Sequence, residues 1–269
     1  MIKFEHTEVV GWEAAIRGMR NPMNSWEKSD SGLCEDFQCD FLDGISGHLS
    51  DNRPICPLKN VYECGLTGDY IIGPNDLDLM MKLRNAGTDH RKFMRMIVVY
   101  VGITAPLYWW KEFDTYKVGT VANSCSTIHK IAAKEFTLED FSTEHLYSDE
   151  LEFFKEIVDR LNGCRNLYLD SKKNESPRDV KNDWWQMIQL LPSSYNQKRT
   201  VMMNYEVLAN IYKSRKNHKL DEWCEHKVEL VGDCPANMYP YPLRKYGGFC
   251  DWIKTLPYSE LITGRDNNE

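Results

Sequence analysis

The sequence predicts a mixed α/β (α+β) fold in which helices flank a sheet. Residues 97–103 read IVVYVGI, a β-branched and apolar run that is typical of a buried strand. The run Gly73-Pro74-Asn75-Asp76 is a strong helix start. Residues 149–161 repeat apolar side chains at helical spacing. Strand and helix signals therefore occur in one chain.

The remaining elements follow from local patterns of apolar, polar and turn-forming residues. In chain order they are short strands at 2–4 and 9–10, a helix at 12–19, a loop at 21–31, a short helix at 89–96, a helix or tight turn at 107–114, a charged linker at 169–178, and a last short helix and turn at 249–262. Asn162-Gly163 is expected to end the helix over 149–161.

The stretch 191–215, LPSSYNQKRTVMMNYEVLANIYKSR, holds the main polar candidates. A polar turn at residues 193–197 is followed by a helix from about Asn204, a residue type favoured at N-caps. At roughly 100° per residue, Asn204 and Arg215 return to within about 20° of one another, and Asn210 lies about 120° to the side. Arg offers a rigid fork of donors for a phosphate or a planar carbonyl edge, and Asn both donates and accepts, as a uracil-like or flavin-like edge requires.

This stretch resembles the C-terminal signature of the flavin-dependent thymidylate synthases. The shared pattern is Leu-Pro, an Asn twelve residues after the Pro, a second Asn six residues later and an Arg five residues after that, without a gap from Leu191 to Arg215. In that family the corresponding helix contacts FAD and dUMP. The resemblance implies the family's fold, a mixed sheet flanked by long helices, with Asn204, Asn210 and Arg215 in nucleotide and flavin contacts.

A second match follows the buried strand. The family has a strand ending in Ala-Pro, a short segment with a Gln, and an Arg-His-Arg motif followed by a small residue and a Ser. Aligned from Ala105, this chain has Glu112 for the Gln, Thr115-Tyr116-Lys117 for the motif, and Gly119-Thr120 for the small residue and the Ser. Lys117 keeps one positive charge of the motif, as a point charge rather than a bidentate fork.

Residues 123–130, NSCSTIHK, extend this match. The family has an Asn, an acidic residue and a Ser beside its dUMP pocket, and Asn123 and Ser126 correspond to the Asn and the Ser. The hydroxyls, thiol, imidazole and Lys resemble a phosphate-cradling turn, and a plain polar loop is the alternative. Cys125, with His129 as its base, is an alternative nucleophile, although the resembled family needs no thiolate.

The two matches cover residues 77–130 and 184–225 and define a predicted site. Where the family has a further Arg for dUMP, this chain has Ile188, so that contact is missing or comes from Lys198 or Arg199. The predicted site residues are Lys117, Ser126 and Arg215 for catalysis, Tyr116, Lys117, Asn204 and Asn210 for cofactor binding, and Glu112, Asn123, Ser124, Ser126 and Arg215 for substrate binding, with no metal.

The resemblance implies an enzyme that binds FAD, takes a hydride from NADPH, accepts the methylene of methylenetetrahydrofolate and methylates dUMP to dTMP. The flavin supplies the redox chemistry and the protein positions the reactants. One alternative keeps the fold and the flavin but takes another pyrimidine nucleotide. Another is a non-catalytic nucleotide-binding or assembly protein on the same scaffold.

The composition also limits the partners and the cellular location that we expect. A net charge of -7 and a pI near 5.6 argue against a nucleic-acid partner, because phosphate backbones are held by surplus Lys and Arg. An apolar stretch long enough to cross a membrane is not apparent, and nine Cys residues without regular disulfide spacing suit a reducing compartment, so a cytoplasmic location is expected.

The chain is expected to be a single domain over residues 1–269. Residues 31–73, with Cys34, Cys39, Cys56 and Cys64, are expected to form an insertion relative to the family, and residues 232–247 a loop rich in Pro and Tyr. The family builds its active sites from several subunits, so a homotetramer is expected.

Overall fold

A computed structural model describes residues 2–33, 70–174, 177–224 and 247–264. The chain divides into two compact units. The first unit comprises Met1–Thr7, Tyr100–Met202 and Ser214–Thr255, and the second comprises Glu8–Val99, Met203–Lys213 and Leu256–Glu269. Most of the insertion expected at 31–73, including Cys34, Cys39, Cys56 and Cys64, and nearly all of the loop expected at 232–247 lie outside the described residues.

Two sheets are present in the described part of the chain. Its strands are β1 (Lys3–Val10), β2 (Gly32–Leu33), β3 (Tyr70–Ile71), β4 (Val98–Pro106), β5 (Val121–Ser124) and β6 (Asn196–Asn204). Four of these strands form one sheet in the order β1-β4-β6-β5. β2 and β3 pair antiparallel, with Leu33 opposite Tyr70, so the residues that flank positions 34–69 are neighbours in this sheet.

The helices differ widely in length. They are α1 (Trp12–Arg20), α2 (Pro74–Asn85), α3 (Leu107–Phe113), α4 (Thr127–Lys130), α5 (Ser148–Lys173), α6 (Pro177–Leu190), α7 (Tyr205–Arg215), α8 (Phe249–Lys254) and α9 (Glu260–Thr263). Among the helices described, none combines the length and the apolar character needed to span a bilayer. The expected mixed α/β class is confirmed.

Strand β6 is missing from the sequence-based prediction, which gave a turn at 193–197 and no strand before the helix. Residues 196–204 form a strand because their side chains alternate: Val201 and Met203 are buried, whereas Lys198 and Thr200 are exposed. The turn residues Asn196 and Gln197 belong to this strand. The two short strands expected at 2–4 and 9–10 are likewise one continuous strand, β1.

The expected helix end at Asn162-Gly163 is wrong, and so is the linker expected from residue 169. Helix α5 continues to Lys173. The Asn162 carboxamide does not end the helix. Its side chain is bonded to the backbone of Phe136, accepting from Phe136 N–H at 2.8 Å and donating to Phe136 O at 2.9 Å. Beyond it, Cys164 is buried in a core that includes Leu161 and Met187, so tertiary packing of α5 against α6 favours continuation.

Aromatic side chains form the core of the first unit around α3. Trp109 stacks on Trp223 with ring centroids 4.5 Å apart and on Phe113 at 5.1 Å. Phe249 packs at an angle against Trp109 at 5.7 Å. All four rings are at most 1% exposed. Such offset and edge contacts fix the orientation of α3 and so position its polar side chains.

Candidate functional site

Helix α3 and the turn after it position polar groups of the first unit. The free N–H groups of its first turn are satisfied from outside the helix, because Leu107 N–H donates to Tyr195 O and Tyr108 N–H donates to Ser193 O, both at 3.0 Å. Trp109, Trp110 and Phe113 face the core. Glu112 is therefore left on the partly exposed side of the helix.

Arg215, at the end of α7, meets two predicted site residues. Its Nη1 lies 2.5 Å from Glu112 Oε2, and its Nε donates to the Tyr116 hydroxyl at 2.9 Å. The side chain of Arg215 is 18% exposed and that of Glu112 is 34% exposed. The structure thus brings together Glu112, Tyr116 and Arg215, which were predicted from distant parts of the sequence.

Two further residues complete what we call the Arg215 cluster, defined as Glu112, Tyr116, Arg215, His218 and Trp223. His218 Nε2 lies 3.4 Å from the same Glu112 oxygen. The Arg215 guanidinium carbon lies 5.0 Å from the centre of the Trp223 ring, within the range of a cation–π contact. The cluster therefore combines a cation, a carboxylate, a phenol and an imidazole beside an indole.

The indole of Trp223 is fully buried, and its Nε1 has no hydrogen-bond partner in the described structure. Trp109 Nε1 shares that property. A buried donor without an acceptor costs about 1–3 kcal/mol. The hydroxyl of neighbouring Tyr108 has a hydrogen-bond partner, because it donates to the Glu222 carboxylate. Burial is the main cause that raises the pKa of Tyr108 far above its usual range, and the Glu222 carboxylate raises it further.

A second polar network lies on β6 and α3. The Arg199 guanidinium sits 4.1 Å from the centre of the Trp110 ring, pairs with Asp114 Oδ1 at 2.7 Å and donates from Nε to Gln197 Oε1 at 2.9 Å. Gln197 Nε2 in turn donates to Cys125 O at 3.1 Å. Lys198, on the same strand, pairs with Glu5 at 2.6 Å, and this hydrogen-bonded ammonium lowers the pKa of Glu5.

The residues predicted beside the substrate at 123–126 lie on β5 and the start of α4. Asn123 pairs across the sheet with Thr200, and Ser124 with Arg199. Ser126 caps α4, its hydroxyl oxygen accepting from His129 N–H at 3.1 Å. These positions make residues 121–130 a strand followed by one helical turn rather than an irregular loop. Lys117 is exposed in the turn before β5.

Asn204 and Asn210 belong to the second unit. Asn204 is the N-cap of α7, as expected, since its Oδ1 accepts from Val207 N–H at 3.0 Å. Asn210 is exposed, and its Oδ1 accepts from Arg91 Nη2 at 2.9 Å. Arg91 and Arg95 both contact the buried Glu206. Burial raises the pKa of Glu206, but the two guanidiniums lower it more strongly, so the pKa lies below its usual range.

Sequence reasoning missed several of these residues. His218, Trp223 and Gln197 were not singled out, and Arg91 and Arg95 were placed only in a short helix. Their roles depend on which elements pack together, and no spacing in the sequence reports that. Within the described residues, no three His, Cys, Asp or Glu side chains are grouped so that they could hold a metal ion.

The described architecture is a mixed α/β fold with a guanidinium–carboxylate cluster at the end of α3. No family model matches the chain, and a search of curated proteins finds no match. Solved structures do match it. A crystal structure of the flavin-dependent thymidylate synthase ThyX from Helicobacter pylori, complexed with FAD and dUMP, superposes with a TM-score of 0.50 at 15% sequence identity, covering 81% of this chain and 85% of that chain.

A second structure of thymidylate synthase X from Helicobacter pylori, with FAD and dUMP, has a TM-score of 0.48 at 14% identity and covers 81% of this chain and 84% of that chain. The chain therefore has the flavin-dependent thymidylate synthase-like fold that the sequence predicts. This likeness is one of fold, because function depends on the residues placed on a fold.

Proposed function

We propose that this protein is a divergent flavin-dependent thymidylate synthase-like enzyme, which binds FAD and a pyrimidine nucleotide such as dUMP. In this proposal it methylates dUMP to dTMP with methylenetetrahydrofolate and NADPH as co-substrates. The observation that carries the proposal is the convergence of Arg215, Glu112 and Tyr116. These residues come from the two separate segments that match the family's motifs, and they meet on a fold shared with an enzyme complexed with FAD and dUMP.

The second unit offers groups that fit a flavin dinucleotide. Arg91 and Arg95 share one carboxylate, Glu206, so this group keeps a surplus positive charge suited to a diphosphate. The Asn210 carboxamide accepts from Arg91 through its oxygen, which leaves its NH2 group able to donate. Asn204 serves as a helix cap and also belongs to the proposed cofactor-binding set. The bound flavin would supply hydride chemistry that no side chain can provide.

In the first unit, we assign Arg215 and Tyr116 to the polarisation of the pyrimidine carbonyls. Glu112, Asn123, Ser124 and Ser126 are assigned to substrate contacts, and Lys117 to the phosphate. Guanidinium and phenol groups are strong donors, and a carboxylate is a strong acceptor, so together they suit a ligand edge with alternating acceptors and donors. Cofactor contacts are also assigned to Tyr116 and Lys117.

The test is binding of flavin and nucleotide by the purified protein. We expect a yellow protein whose colour is bleached by NADPH, and an Arg215→Ala variant that loses dUMP affinity by about thirtyfold or more, since hydrogen bonds to charged groups contribute about 1.5–3 kcal/mol each. Arg160→Ala, which removes an exposed Arg of α5, is the control and should bind normally. Unchanged dUMP affinity in Arg215→Ala would count against the proposal.

A second candidate function is nucleotide binding without catalysis. It is favoured by the replacement of the family's Arg-His-Arg by Thr115-Tyr116-Lys117, of which Tyr116 is already bonded to Arg215. This candidate predicts a protein that stays colourless after addition of FAD but is stabilised against heat by a pyrimidine nucleotide.

We further propose a single domain over residues 1–269, working in the cytoplasm as a homotetramer with shared active sites. The pairing of Leu33 with Tyr70 supports an insertion at 31–73, because a segment whose flanking residues are neighbours can be inserted without displacing the fold around it.

A further inference from the structure

One side of helix α5 is exposed along most of its length. Val158 and Leu161 face the core that α5 shares with α6. On the opposite side, residues recur at alternating steps of three and four, the spacing of a single helical face. We call this face the α5 stripe, and its members, all exposed, are Phe153, Glu156, Arg160, Gly163 and Leu167. Phe153 and Leu167 are large apolar side chains that are 63% and 60% exposed.

A groove of about 240 Å³ lies beside the α5 stripe. Phe153 and Ile157 of α5 and Leu190 at the end of α6 supply its apolar lining, and Glu156 and Arg160 supply its charged lining. Exposed apolar surface bordered by charged side chains is typical of a contact with another protein. The size and charge of the stripe residues indicate which protein fits.

The two charges of the α5 stripe lie one helical turn apart, at Glu156 and Arg160. Elsewhere on α5, Lys155 pairs with Glu152 at 2.6 Å. Within the described residues, neither Glu156 nor Arg160 is in an ion pair. Both are equally distant in sequence from Val158. If a second copy of α5 ran antiparallel across a two-fold axis level with Val158, each Glu156 would face the partner's Arg160.

The same axis matches the sizes of the side chains. Phe153 and Gly163 are also equally distant from Val158, so the aromatic ring of each copy would face the residue without a side chain in the other. A Cβ added at Gly163 would meet nothing within 4 Å, so the space above this glycine is open. Glycine is a poor residue for a helix interior, so local preference does not explain its place in α5.

We propose that the α5 stripe is a contact between two copies of this chain, packed antiparallel about a two-fold axis level with Val158. Two Glu156–Arg160 ion pairs lie at its centre, and a Phe153 ring covers Gly163 of each partner. A two-fold contact uses the same residues on both copies, so the surface must be self-complementary, as this stripe is. A parallel pair would instead set Glu156 against Glu156, and like charges disfavour it. This inference specifies one contact of the proposed assembly and needs neither flavin nor nucleotide.

The experiment is a charge swap in the full chain, with mass measured by light scattering coupled to size exclusion over a dilution series. Glu156→Lys and Arg160→Glu should each halve the mass of the assembly and raise the dissociation constant of the contact by about tenfold or more, because every copy then meets a like charge twice. The double variant Glu156→Lys/Arg160→Glu should restore the wild-type mass, because both pairs form again with their charges exchanged.

The matched control is Lys155→Glu. It reverses the charge next to Glu156 in the sequence, but its side chain points about 100° to the side of Glu156 around the helix. The mass of this variant should equal that of wild type. Misfolding is tested by the double variant, since it carries both substitutions and should still assemble.

The proposal is overturned if the wild-type protein is a monomer at every accessible concentration, if the single reversals leave the mass unchanged, or if the double variant dissociates as the single variants do. A wild-type dimer that responds to the charge swap would reject the homotetramer and retain this contact. None of the stripe residues belongs to the proposed ligand sites. A colourless protein that responds to the charge swap would therefore reject flavin chemistry and retain the contact.

Discussion

At the scale of single residues, Asp76 of the second unit is a fully buried carboxylate held by several donors. It accepts from Arg20 Nε at 2.6 Å, from Ser29 Oγ at 2.7 Å and from Ser31 Oγ at 2.6 Å. Arg20 is itself 4% exposed. A buried charge pair of this kind is costly to break, because the remaining partner stays uncompensated. The contacts of Asp76 therefore tie the end of α1, and the polar segment after it, to the start of α2.

We predict that Asp76→Asn lowers the free energy of unfolding by about 3–5 kcal/mol, because the Arg20 guanidinium is left buried without its counter-charge. The control is Asp78→Asn on the same helix. Asp78 pairs with Lys82 on the surface, with both side chains more than 60% exposed, and its loss should cost less than about 1 kcal/mol. Urea unfolding of both variants measures the difference, and equal effects would contradict the role of Asp76.

The same carboxylate makes stability depend on pH. Burial raises the pKa of Asp76, but the hydrogen bonds from Ser29, Ser31 and Arg20 outweigh burial and set the pKa below its ordinary value of 3.8. Because the folded pKa is depressed, the stabilisation is fully present above the ordinary pKa and is lost as pH falls through the folded value. The gap in unfolding free energy between wild type and Asp76→Asn should therefore narrow as pH falls below about 4.

Some residues of the candidate site could be predicted from the sequence, and others could not. Arg215, Glu112 and Tyr116 were named because each falls at a motif position that resembles a known family. His218 and Trp223 follow Arg215 closely in the sequence, but a His and a Trp in a polar segment give no sign of what they contact. Their contacts depend on how the 215–224 segment packs against α3.

At the scale of elements, the junction between β1 and α1 depends on one glycine. Gly11 has φ +95°, and a Cβ there would lie 2.1 Å from Met96 O, a backbone atom that cannot move aside easily. A side chain at this position is thus opposed by both backbone strain and collision. The glycine allows the chain to turn directly from strand to helix.

We predict that Gly11→Ala destabilises the protein by about 1–3 kcal/mol, from the strained backbone conformation and the clash. Gly163→Ala should have the opposite effect on stability. Gly163 lies within α5, and an added Cβ would meet nothing within 4 Å. Since Ala is the better helix former, this variant should be more stable by about 0.4–1 kcal/mol. Thermal unfolding of the two variants should shift in opposite directions, and shifts of the same sign would refute the assignment.

At the scale of the whole molecule, several described arginines of this acidic chain are held in local ion pairs. The net charge is -7, yet Arg91 and Arg95 share a single carboxylate in the second unit, whereas Arg199 and Arg215 are individually paired in the first. In the proposed function, the surplus charge of the second unit's arginines suits the diphosphate of a bound dinucleotide.

The proposed assembly is tested on the intact protein. Light scattering coupled to size exclusion should give a mass of about four chains of 31.5 kDa each, as the resemblance to the family implies. Glu152→Gln, an exposed change on α5, should leave that mass unaltered. A monomer across the accessible concentration range would contradict active sites shared between subunits, while leaving the prediction for Arg215 in place.

The sequence by itself determined the class of fold, the strand at 97–103, the helix start at Gly73-Pro74 and the N-cap at Asn204. These features depend on residues close together in the chain, whose propensities and capping groups act locally. The tertiary structure decided that β6 is a strand, that α5 passes through Asn162-Gly163, and that Arg215 lies against Glu112. Those outcomes depend on burial and charge pairing between distant segments, which compete with local preference and here prevail over it.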